Sequence, residues 1–334
     1  MEKIKLGSSD IMITPITVGC WSFGGNEDDY WGSQDQRAVE RLVHAAIDSG
    51  VNFFDTAYMY NGGRSESSLG AAIKGKRSQT VICTKTPTYE SWEKFESALA
   101  DALKRLGVNE VDVLMIHWPT RDEKLMRENL TYLKRVCDKG HTRYAGVSNF
   151  GVRTMEMAKE EGLNIIANEF AYSLMCRATE FEVAPYCVEH NIGITSYMSL
   201  MQGILTGKYA SIEEIPPRRR RTVQFDGTKN PHVNKAHSVP HSEAETLALI
   251  ETLKSLSGEA GLTPGQLAIA WCLVKPGIAT AIVGCRDEQQ LYDNIKAGEA
   301  KLDAGIIATL DEASQPILDK MGNIVDIFGN DRIW

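Results

Sequence analysis

Short apolar segments of strand length alternate with segments of helical apolar spacing along almost the whole chain. From residue 16 onward this alternation predicts eight strands, each followed by at least one helix. Such repetition predicts a parallel sheet with right-handed crossovers, and eight units in 334 residues favour a closed barrel. An open, doubly wound sheet is the alternative. We therefore predict an α/β fold, a (β/α)8 TIM barrel that residues 1–334 form as one domain.

The predicted elements are bounded by glycine and by polar turn residues. A small hairpin, with strands at 4–6 and 11–13 around GSSD, precedes the barrel. Extra helices are expected after the seventh barrel strand, beyond a polar loop at roughly 207–241, and at the C-terminus. The predicted barrel strands span 16–20, 51–54, 80–85, 111–118, 142–148, 164–170, 192–198 and 278–284, and the helices span 35–48, 65–75, 91–107, 122–138, 151–161, 178–190, 242–260, 264–274, 286–297 and about 303–320.

The composition limits the partners that this chain can have. A formal net charge of −8 argues against nucleic-acid or anionic-membrane binding by the whole surface. The seven cysteines are scattered and never form CxxC, and no stretch resembles a signal peptide or a transmembrane segment. We therefore predict a cytoplasmic protein that binds neither nucleic acid nor membrane. Prolines interrupt the spacing of His232, His237 and His241, and no acidic or thiol ligand joins them, so we predict no metal site.

Polar side chains are expected at the C-terminal ends of three successive barrel strands. Asp55 follows the strand at 51–54 directly, and Tyr60 stands in the next loop. Lys85 closes the following strand, and His117 lies near the end of the one after it. In a barrel these strand ends meet at one rim, where catalytic groups gather. Each residue alone has a structural explanation, such as a loop-capping aspartate or a core histidine, but four at one rim indicate a catalytic site.

These four groups suit proton transfer to a carbonyl oxygen. A nearby ammonium lowers the pKa of a phenol, so Lys85, held by Asp55, favours proton transfer by Tyr60. A neutral His117 can hydrogen-bond the same oxygen and orient the substrate. None of the four groups can supply hydride, so the chemistry requires a cofactor. The first strand is not followed by GxGxxG, which argues against a Rossmann dinucleotide site.

The chain resembles the aldo-keto reductase family over almost its whole length. The family implies a (β/α)8 barrel that binds NADP(H) in extended form across the barrel mouth. Its catalytic tetrad corresponds to Asp55, Tyr60, Lys85 and His117; Tyr58 also follows Asp55, but the family spacing selects Tyr60. The long loop after the seventh strand is similar to that of prokaryotic and potassium-channel β-subunit branches. The resemblance rests on the order and spacing of DTAYMYNGGRSESSLG (55–70), VICTKT (81–86), DVLMIHWP (112–119), RYAGVSNF (143–150), ITSYMSLMQGILTGKY (194–209), LAIAWCLVKPG (267–277) and IVGCRDEQQLYDN (282–294).

The resemblance also implies the contacts of the nicotinamide end of the cofactor. Ser148 and Asn149 are expected at the carboxamide, where a simple helix N-cap is the alternative. Tyr197 is expected to stack on the nicotinamide ring. Glu169 stands where the family usually has glutamine, although a slip of one residue would offer Asn168. Because a carboxylate attracts the positively charged oxidised ring, we expect Glu169 to shift the binding preference toward NADP+.

A second group of residues is expected at the phosphates and the adenosine. A helix N-terminus with an arginine is an anion site, so Arg286, after Gly284, suits the 2′-phosphate of NADPH. Gln290 and Asn294 share a helix face with Arg286 and are expected to reach toward the adenosine. An ordinary solvated polar face is the alternative. The pyrophosphate is expected along Leu200, Gly203 and Lys208.

The pocket for the substrate is expected to be lined by aromatic residues from loops at the catalytic end. We assign Trp21, Tyr58, Tyr89 and Trp118 to its wall, and count Trp21 and Asp55 among the cofactor contacts as well. The four arginines at 218–221 could form a localisation signal, a nucleic-acid patch or a solvated loop. We favour a loop with a phosphate contact.

These expectations predict an NADP(H)-dependent oxidoreductase that interconverts a carbonyl group (aldehyde, ketone or sugar) and an alcohol, with Tyr60 as general acid and base. Its partner is then a small-molecule carbonyl or alcohol. The alternative is a cofactor-bound regulatory or interaction subunit with weak reductase activity, because channel-associated relatives retain the tetrad. A third hypothesis is an isomerase or aldolase that uses Lys85 as a Schiff base, but the neighbouring Asp55 argues against it.

Overall fold

The computed structural model describes residues 1–228, 230, 232–233 and 241–334. Strands β3 to β10 pair in parallel in chain order, and β10 pairs with β3 to close an eight-stranded barrel, which confirms the predicted fold. The strands are β1 (Ile4–Lys5), β2 (Met12–Ile13), β3 (Ile16–Gly19), β4 (Phe53–Asp55), β5 (Val81–Thr86), β6 (Val111–Ile116), β7 (Thr142–Ser148), β8 (Ile165–Ala171), β9 (Gly193–Tyr197) and β10 (Ile278–Val283).

Helices occupy the crossovers between the barrel strands. Helix α7 precedes α8 between β9 and β10 and packs against α10, so these are the extra helices predicted after the seventh barrel strand and at the C-terminus. None of the helices in the described ranges combines the length and the hydrophobicity that a bilayer crossing requires. The helices are α1 (Gln36–Asp48), α2 (Arg64–Ala72), α3 (Trp92–Leu106), α4 (Glu123–Asp138), α5 (Val152–Glu160), α6 (Val183–Glu189), α7 (Glu243–Ala260), α8 (Pro264–Leu273), α9 (Glu288–Glu299) and α10 (Ala304–Met321).

One predicted helix, 178–190, is divided in the structure. A short 3-10 turn at Ala178–Glu180 is followed by a break, and α6 begins only at Val183. The ring of a proline clashes with the carbonyl four residues earlier in a helix. Pro185 therefore prevents α6 from extending back through residue 181.

The alternation of side chains along each strand decides which of them face the barrel interior. On β4, Phe53 belongs to the apolar cluster inside the barrel, whereas Phe54 packs toward the helices. Asp55 is two residues beyond Phe53 and faces inward again. The same period turns Lys85 inward on β5, two residues after the interior Cys83.

The antiparallel hairpin of β1 and β2 covers the N-terminal end of the barrel. Leu6, Ile11 and Ile13 are buried in the same apolar cluster as the interior residues Phe53 and Val113. The hairpin therefore closes the end of the barrel that lies opposite to Asp55 and Lys85.

Candidate active site

The four residues predicted to be catalytic lie together at the C-terminal rim of the barrel. The ammonium nitrogen of Lys85 lies 2.6 and 2.7 Å from the two carboxylate oxygens of Asp55. It also lies 3.4 Å from the phenol oxygen of Tyr60. The rings of Tyr60 and His117 meet edge to face, with their centroids 5.6 Å apart. Lys85 is fully buried, so its charge depends on these partners.

Glu169 adds a second buried carboxyl group to this cluster. Its Oε2 lies 3.3 Å from Lys85 Nζ and has no hydrogen-bond partner in the described part of the chain. The preceding residue, Asn168, donates to the carbonyl of Phe150 at 2.8 Å and accepts from its N–H at 3.4 Å. Glu169, and not Asn168, therefore faces the cavity.

Burial and charge act in opposite directions on the buried ionisable groups. Burial alone would lower the pKa of Lys85, but Asp55 and Glu169 together hold that pKa well above its ordinary value. Burial, reinforced by the carboxylate of Asp55, raises the pKa of Glu169 despite the presence of Lys85. Glu169 therefore retains a proton more readily than an exposed carboxyl group does. In that form it can donate and accept hydrogen bonds, as glutamine does.

The two remaining groups of the cluster are electrically neutral. Burial raises the pKa of Tyr60, although Lys85 acts to lower it. The lowered pKa expected from the proximity of Lys85 is thus outweighed by desolvation, and the phenol keeps its proton at neutral pH. Burial also lowers the pKa of His117 to about 3, helped by the charges of Lys85 and Arg332. His117 can therefore act as a neutral hydrogen-bonding group.

Asp55, Cys83 and Glu169 bring three potential metal ligands within 4.8 Å of one another. The ammonium of Lys85 already occupies this cluster and hydrogen-bonds both oxygens of Asp55. A metal ion would have to displace that cation, so we assign the cluster to an ion pair. Of the histidines considered from the sequence, His237 lies outside the described residues.

A cavity of about 1200 Å³ opens above the cluster and extends along the rim of the barrel. Trp21 and Trp118 form part of its wall beside Tyr60 and His117. All the residues predicted to contact the cofactor line this cavity. Besides Trp21 and Asp55, they are Ser148, Asn149, Glu169, Tyr197, Leu200, Gly203, Lys208, Gly284, Arg286, Gln290 and Asn294.

Tyr58 and Tyr89, which were assigned to the substrate pocket from the sequence, do not line this cavity. The guanidinium of Arg105 lies 4.4 Å from the ring centroid of Tyr58, and the buried Glu66 holds that guanidinium at 2.7 Å. The ring of Tyr89 packs edge to face on Phe95. We therefore leave both tyrosines out of the substrate site.

Asn149 links His117 of the buried cluster to Tyr197, which also lines the cavity. It has a left-handed backbone, with φ 62°, and accepts a hydrogen bond from the Tyr197 hydroxyl at 2.7 Å. Its amide donates to Ser148 Oγ and to the carbonyl of His117. Helix α5 has Gly151 at its N-cap and no side-chain cap, so neither Ser148 nor Asn149 serves as the helix cap that the sequence left open.

The opposite end of the cavity is lined by Gly203, which has no side chain, and by cationic side chains. Gly203 has φ 86°, and a β-carbon there would lie 3.3 Å from Lys208 Nζ and 3.8 Å from an Nη of Arg219. These groups suit a pyrophosphate, which takes backbone and cationic donors. Arg286 donates to the carbonyls of Trp31 and Ser33 at 2.7 and 2.6 Å. Since a guanidinium carries five N–H groups, three remain available for a phosphate.

Three arginines of this cavity were not assigned to it individually from the sequence. Arg219 and Arg221 belong to the run at 218–221, where only the run as a whole indicated a phosphate contact. Arg332 lies in the C-terminal tail, and its guanidinium carbon lies 3.5 Å from the ring centroid of Trp118. The sequence of the tail gave no periodic signal that would place Arg332 on Trp118.

The fold and the site define a class of protein, the (β/α)8 barrels with a buried Asp-Tyr-Lys-His cluster at the C-terminal rim. The model of the Aldo/keto reductase family matches residues 15–315. The chain is 31% identical over 303 residues to aldo-keto reductase YhdN of Bacillus subtilis (strain 168), with 87% of each chain covered. The chain therefore belongs to the aldo/keto reductase family.

Two further proteins are similar to this chain. The chain is 30% identical over 315 residues to a probable voltage-gated potassium channel subunit beta of Arabidopsis thaliana, which covers 89% of this chain and 91% of that one. A solved aldo-keto reductase from Klebsiella pneumoniae, in complex with NADPH, shares the fold with a TM-score of 0.71 and 22% identity. That match covers 93% of this chain and 94% of the solved chain.

Proposed function

We propose that this protein is an NADP(H)-dependent oxidoreductase that interconverts a small-molecule carbonyl, an aldehyde, ketone or sugar, and its alcohol. Tyr60 is the general acid of reduction and the general base of oxidation. The observation that carries this proposal is the position of Lys85 Nζ, in contact with both Asp55 and Tyr60. Membership of the aldo/keto reductase family supports the same reaction class.

Tyr60 can donate its proton although burial raises its pKa. A carbonyl oxygen becomes strongly basic only as it gains electron density, so a weak acid that holds its proton until then suits reduction. The charged Lys85 stabilises the phenolate that remains, and Asp55 keeps Lys85 in place. The neutral His117 is available to hydrogen-bond the substrate oxygen and to orient it.

NADP(H) fits the cavity at both ends. At one end, Glu169 Oε2 is buried and lacks a hydrogen-bond partner among the described residues. Because buried polar atoms usually have such a partner, this oxygen is available to bond the nicotinamide carboxamide. At the other, Gly203 and Lys208 suit a pyrophosphate, and Arg286 suits a 2′-phosphate. When bound, a reduced nicotinamide supplies the hydride that the four side chains cannot supply. The NADPH complex of the Klebsiella pneumoniae chain of the same fold is consistent with this assignment.

A regulatory or interaction subunit is the second candidate, because the chain is also similar to a probable potassium channel subunit beta. Such a protein would bind NADPH in the same cavity without efficient turnover. The Schiff-base hypothesis loses support, because Lys85 is fully buried and its pKa is raised by Asp55 and Glu169 against the effect of burial. A charged amine bound to a carboxylate is a poor nucleophile.

The test is a screen of NADPH oxidation over aldehydes, ketoses and aldoses, with NADP+ reduction measured on the matching alcohols. We expect the wild-type protein to reduce at least one aldehyde, and we expect the Tyr60→Phe variant not to reduce it. Isothermal titration calorimetry measures NADPH binding in parallel. Tight binding without turnover of any carbonyl would favour the regulatory subunit. An adduct of Lys85 trapped by borohydride would instead favour the Schiff-base enzyme.

A further inference from the structure

Two arginines lie on the aromatic rim of the cavity, one ring away from the catalytic cluster. The guanidinium carbon of Arg332 lies 3.5 Å from the ring centroid of Trp118, the residue that follows His117. On the other side, the guanidinium carbon of Arg221 lies 5.5 Å from the ring centroid of Trp21. Trp21 in turn stacks on the ring of Tyr60, with a centroid separation of 5.6 Å.

A phenylalanine of the C-terminal tail joins the two arginines into one surface. The ring of Phe328 lies 4.8 Å from the guanidinium carbon of Arg221 and packs edge to face on Trp118. Arg221, Phe328, Trp118 and Arg332 all line the cavity. The rim therefore presents two cations that are separated by apolar rings.

Both guanidiniums keep hydrogen-bonding capacity that the described residues do not use. Nε of Arg221 and Nε of Arg332 are both buried and without a hydrogen-bond partner among the described residues. Burial lowers the pKa of Arg332, although the charges of Asp326 and Tyr197 oppose this effect. Packing on aromatic faces fixes each guanidinium without engaging its five in-plane donors. Such an arginine is prepared to take a bidentate anion in the plane of the fork.

The carboxylate of the nearby Asp326 mainly binds backbone N–H groups of the C-terminal tail. Asp326 accepts from the backbone N–H groups of Phe328, Asn330 and Arg332, at 3.0 to 3.4 Å, and thereby shapes the tail. Its Oδ2 lies 3.7 Å from Arg332 Nε, which is close enough for an ion pair but too far for a hydrogen bond. No acidic side chain in the described ranges forms a salt bridge with Arg221. The rim thus carries an excess of positive charge beside the substrate end of the cavity.

We propose that the substrate is an aldehyde or ketone that carries a carboxylate, and that Arg221 and Arg332 bind this carboxylate while the carbonyl lies at Tyr60 and His117. The rings of Trp21, Trp118 and Phe328 accommodate the apolar part between the two functional groups. The inference rests on the proposed carbonyl reduction and names its class of substrate. It makes the C-terminal tail, through Arg332, a determinant of specificity.

The test compares two aldehydes of nearly equal shape, 4-carboxybenzaldehyde and its methyl ester, as substrates with NADPH. We expect wild-type kcat/KM to be about tenfold or more higher for the acid, since a charge-assisted bidentate contact is worth at least this factor. The ratio of acid to ester should fall about tenfold in Arg332→Leu and in Arg221→Leu, and only partly in Arg332→Lys. Far-UV circular dichroism and thermal unfolding show independently that each variant is folded, so the ester activity serves only as the reference for the ratio.

Arg121→Leu is the matched control. Arg121 holds the same tail through Asp331 at 2.7 Å but does not line the cavity, so its removal should leave the ratio unchanged. The proposal is overturned if wild type reduces acid and ester equally well. It is also overturned if the Arg332 variants lower both alike, or if Arg221→Leu weakens NADPH binding with no change in the ratio. If neither aldehyde nor any other carbonyl is reduced, the proposed function itself fails.

Discussion

The phenol oxygen of Tyr60 lies 3.4 Å from the ammonium nitrogen of Lys85. The ring of Tyr58, only two residues away, lies against Arg105 outside the cavity. We expect Tyr60→Phe to lower kcat for carbonyl reduction by about 100-fold or more, because general acid catalysis contributes factors of this size. The dissociation constant of NADPH should stay within about threefold of wild type, since the Tyr60 hydroxyl is proposed to contact the substrate and not the cofactor. Tyr58→Phe is the control and should retain most of the activity; an equal loss in both variants would contradict the assignment of Tyr60.

The buried pair of Lys85 and Asp55 gives a prediction about stability. Removing one partner of a buried ion pair typically costs about 3–5 kcal/mol, because the other charge is left without compensation. Lys85→Met should therefore lower the free energy of unfolding at pH 7, measured by urea denaturation, by about this amount. The double variant with Asp55→Asn should recover part of the loss, since it also removes the uncompensated charge. A single variant as stable as wild type would contradict the prediction that Lys85 compensates a buried charge.

Glu169 makes the stability of the fold depend on pH. A carboxyl group whose pKa is raised by folding stabilises the native state below its unfolded pKa, and this contribution is lost as the pH rises through the folded value. Glu169→Gln removes the ionisation, so its Tm relative to wild type should be higher at pH 8 than at pH 5. We expect a difference of about 2 °C or more by differential scanning calorimetry. Glu27→Gln, at an exposed position, is the control and should show no such trend.

The protonation state of the Glu169 carboxyl group should determine whether the protein binds NADP+ and NADPH with different affinities. While Glu169 is protonated it resembles glutamine and exerts no net attraction on the oxidised, positively charged nicotinamide. Once it ionises, it attracts that ring. The preference for NADP+ over NADPH, measured by isothermal titration calorimetry, should therefore increase with pH in wild type and stay constant in Glu169→Gln. A constant ratio in both proteins would remove Glu169 from the nicotinamide site.

Arg286 provides a test of cofactor choice. Its guanidinium donates to two backbone carbonyls and keeps three N–H groups for a phosphate. Arg286→Leu should raise the dissociation constant of NADPH by about tenfold or more, as expected for the loss of a charge-assisted contact, and that of NADH much less. Arg41→Leu removes an exposed salt bridge to Glu288, the first residue of α9. This control variant should change the dissociation constant of neither cofactor. Equal weakening of both cofactors would indicate that Arg286 only positions the loop that it binds.

Much of the fold and of the buried cluster around Lys85 could be predicted from the sequence because both depend on local periodicity. Alternation with period two, counted from the apolar residues of each strand, puts Asp55 and Lys85 on the inner face of the barrel. Parallel pairing then brings the strand ends together without further information. The single domain and the cytoplasmic location stay predictions.

The features that the sequence did not determine depend on packing between distant parts of the chain. The net rise in the pKa of Tyr60 and the raised pKa of Glu169 arise from burial, which only the closed barrel creates. Tyr58 turns away from the cavity because Arg105 of α3 offers it a cationic surface. Arg332, from the far end of the chain, packs over Trp118, and no spacing in the sequence predicts that contact.

The aromatic rim also gives the site an intrinsic optical reporter. Three of the six tryptophans, Trp21, Trp31 and Trp118, line the cavity, whereas Trp271 is fully buried elsewhere. Indole emission responds to changes in polarity and to nearby absorbing or charged groups. Occupation of the cavity therefore changes the surroundings of half of the fluorophores in unlabelled protein. Fluorescence titration can follow ligand entry in real time, and the loss of one indole at a time assigns the signal to one part of the rim.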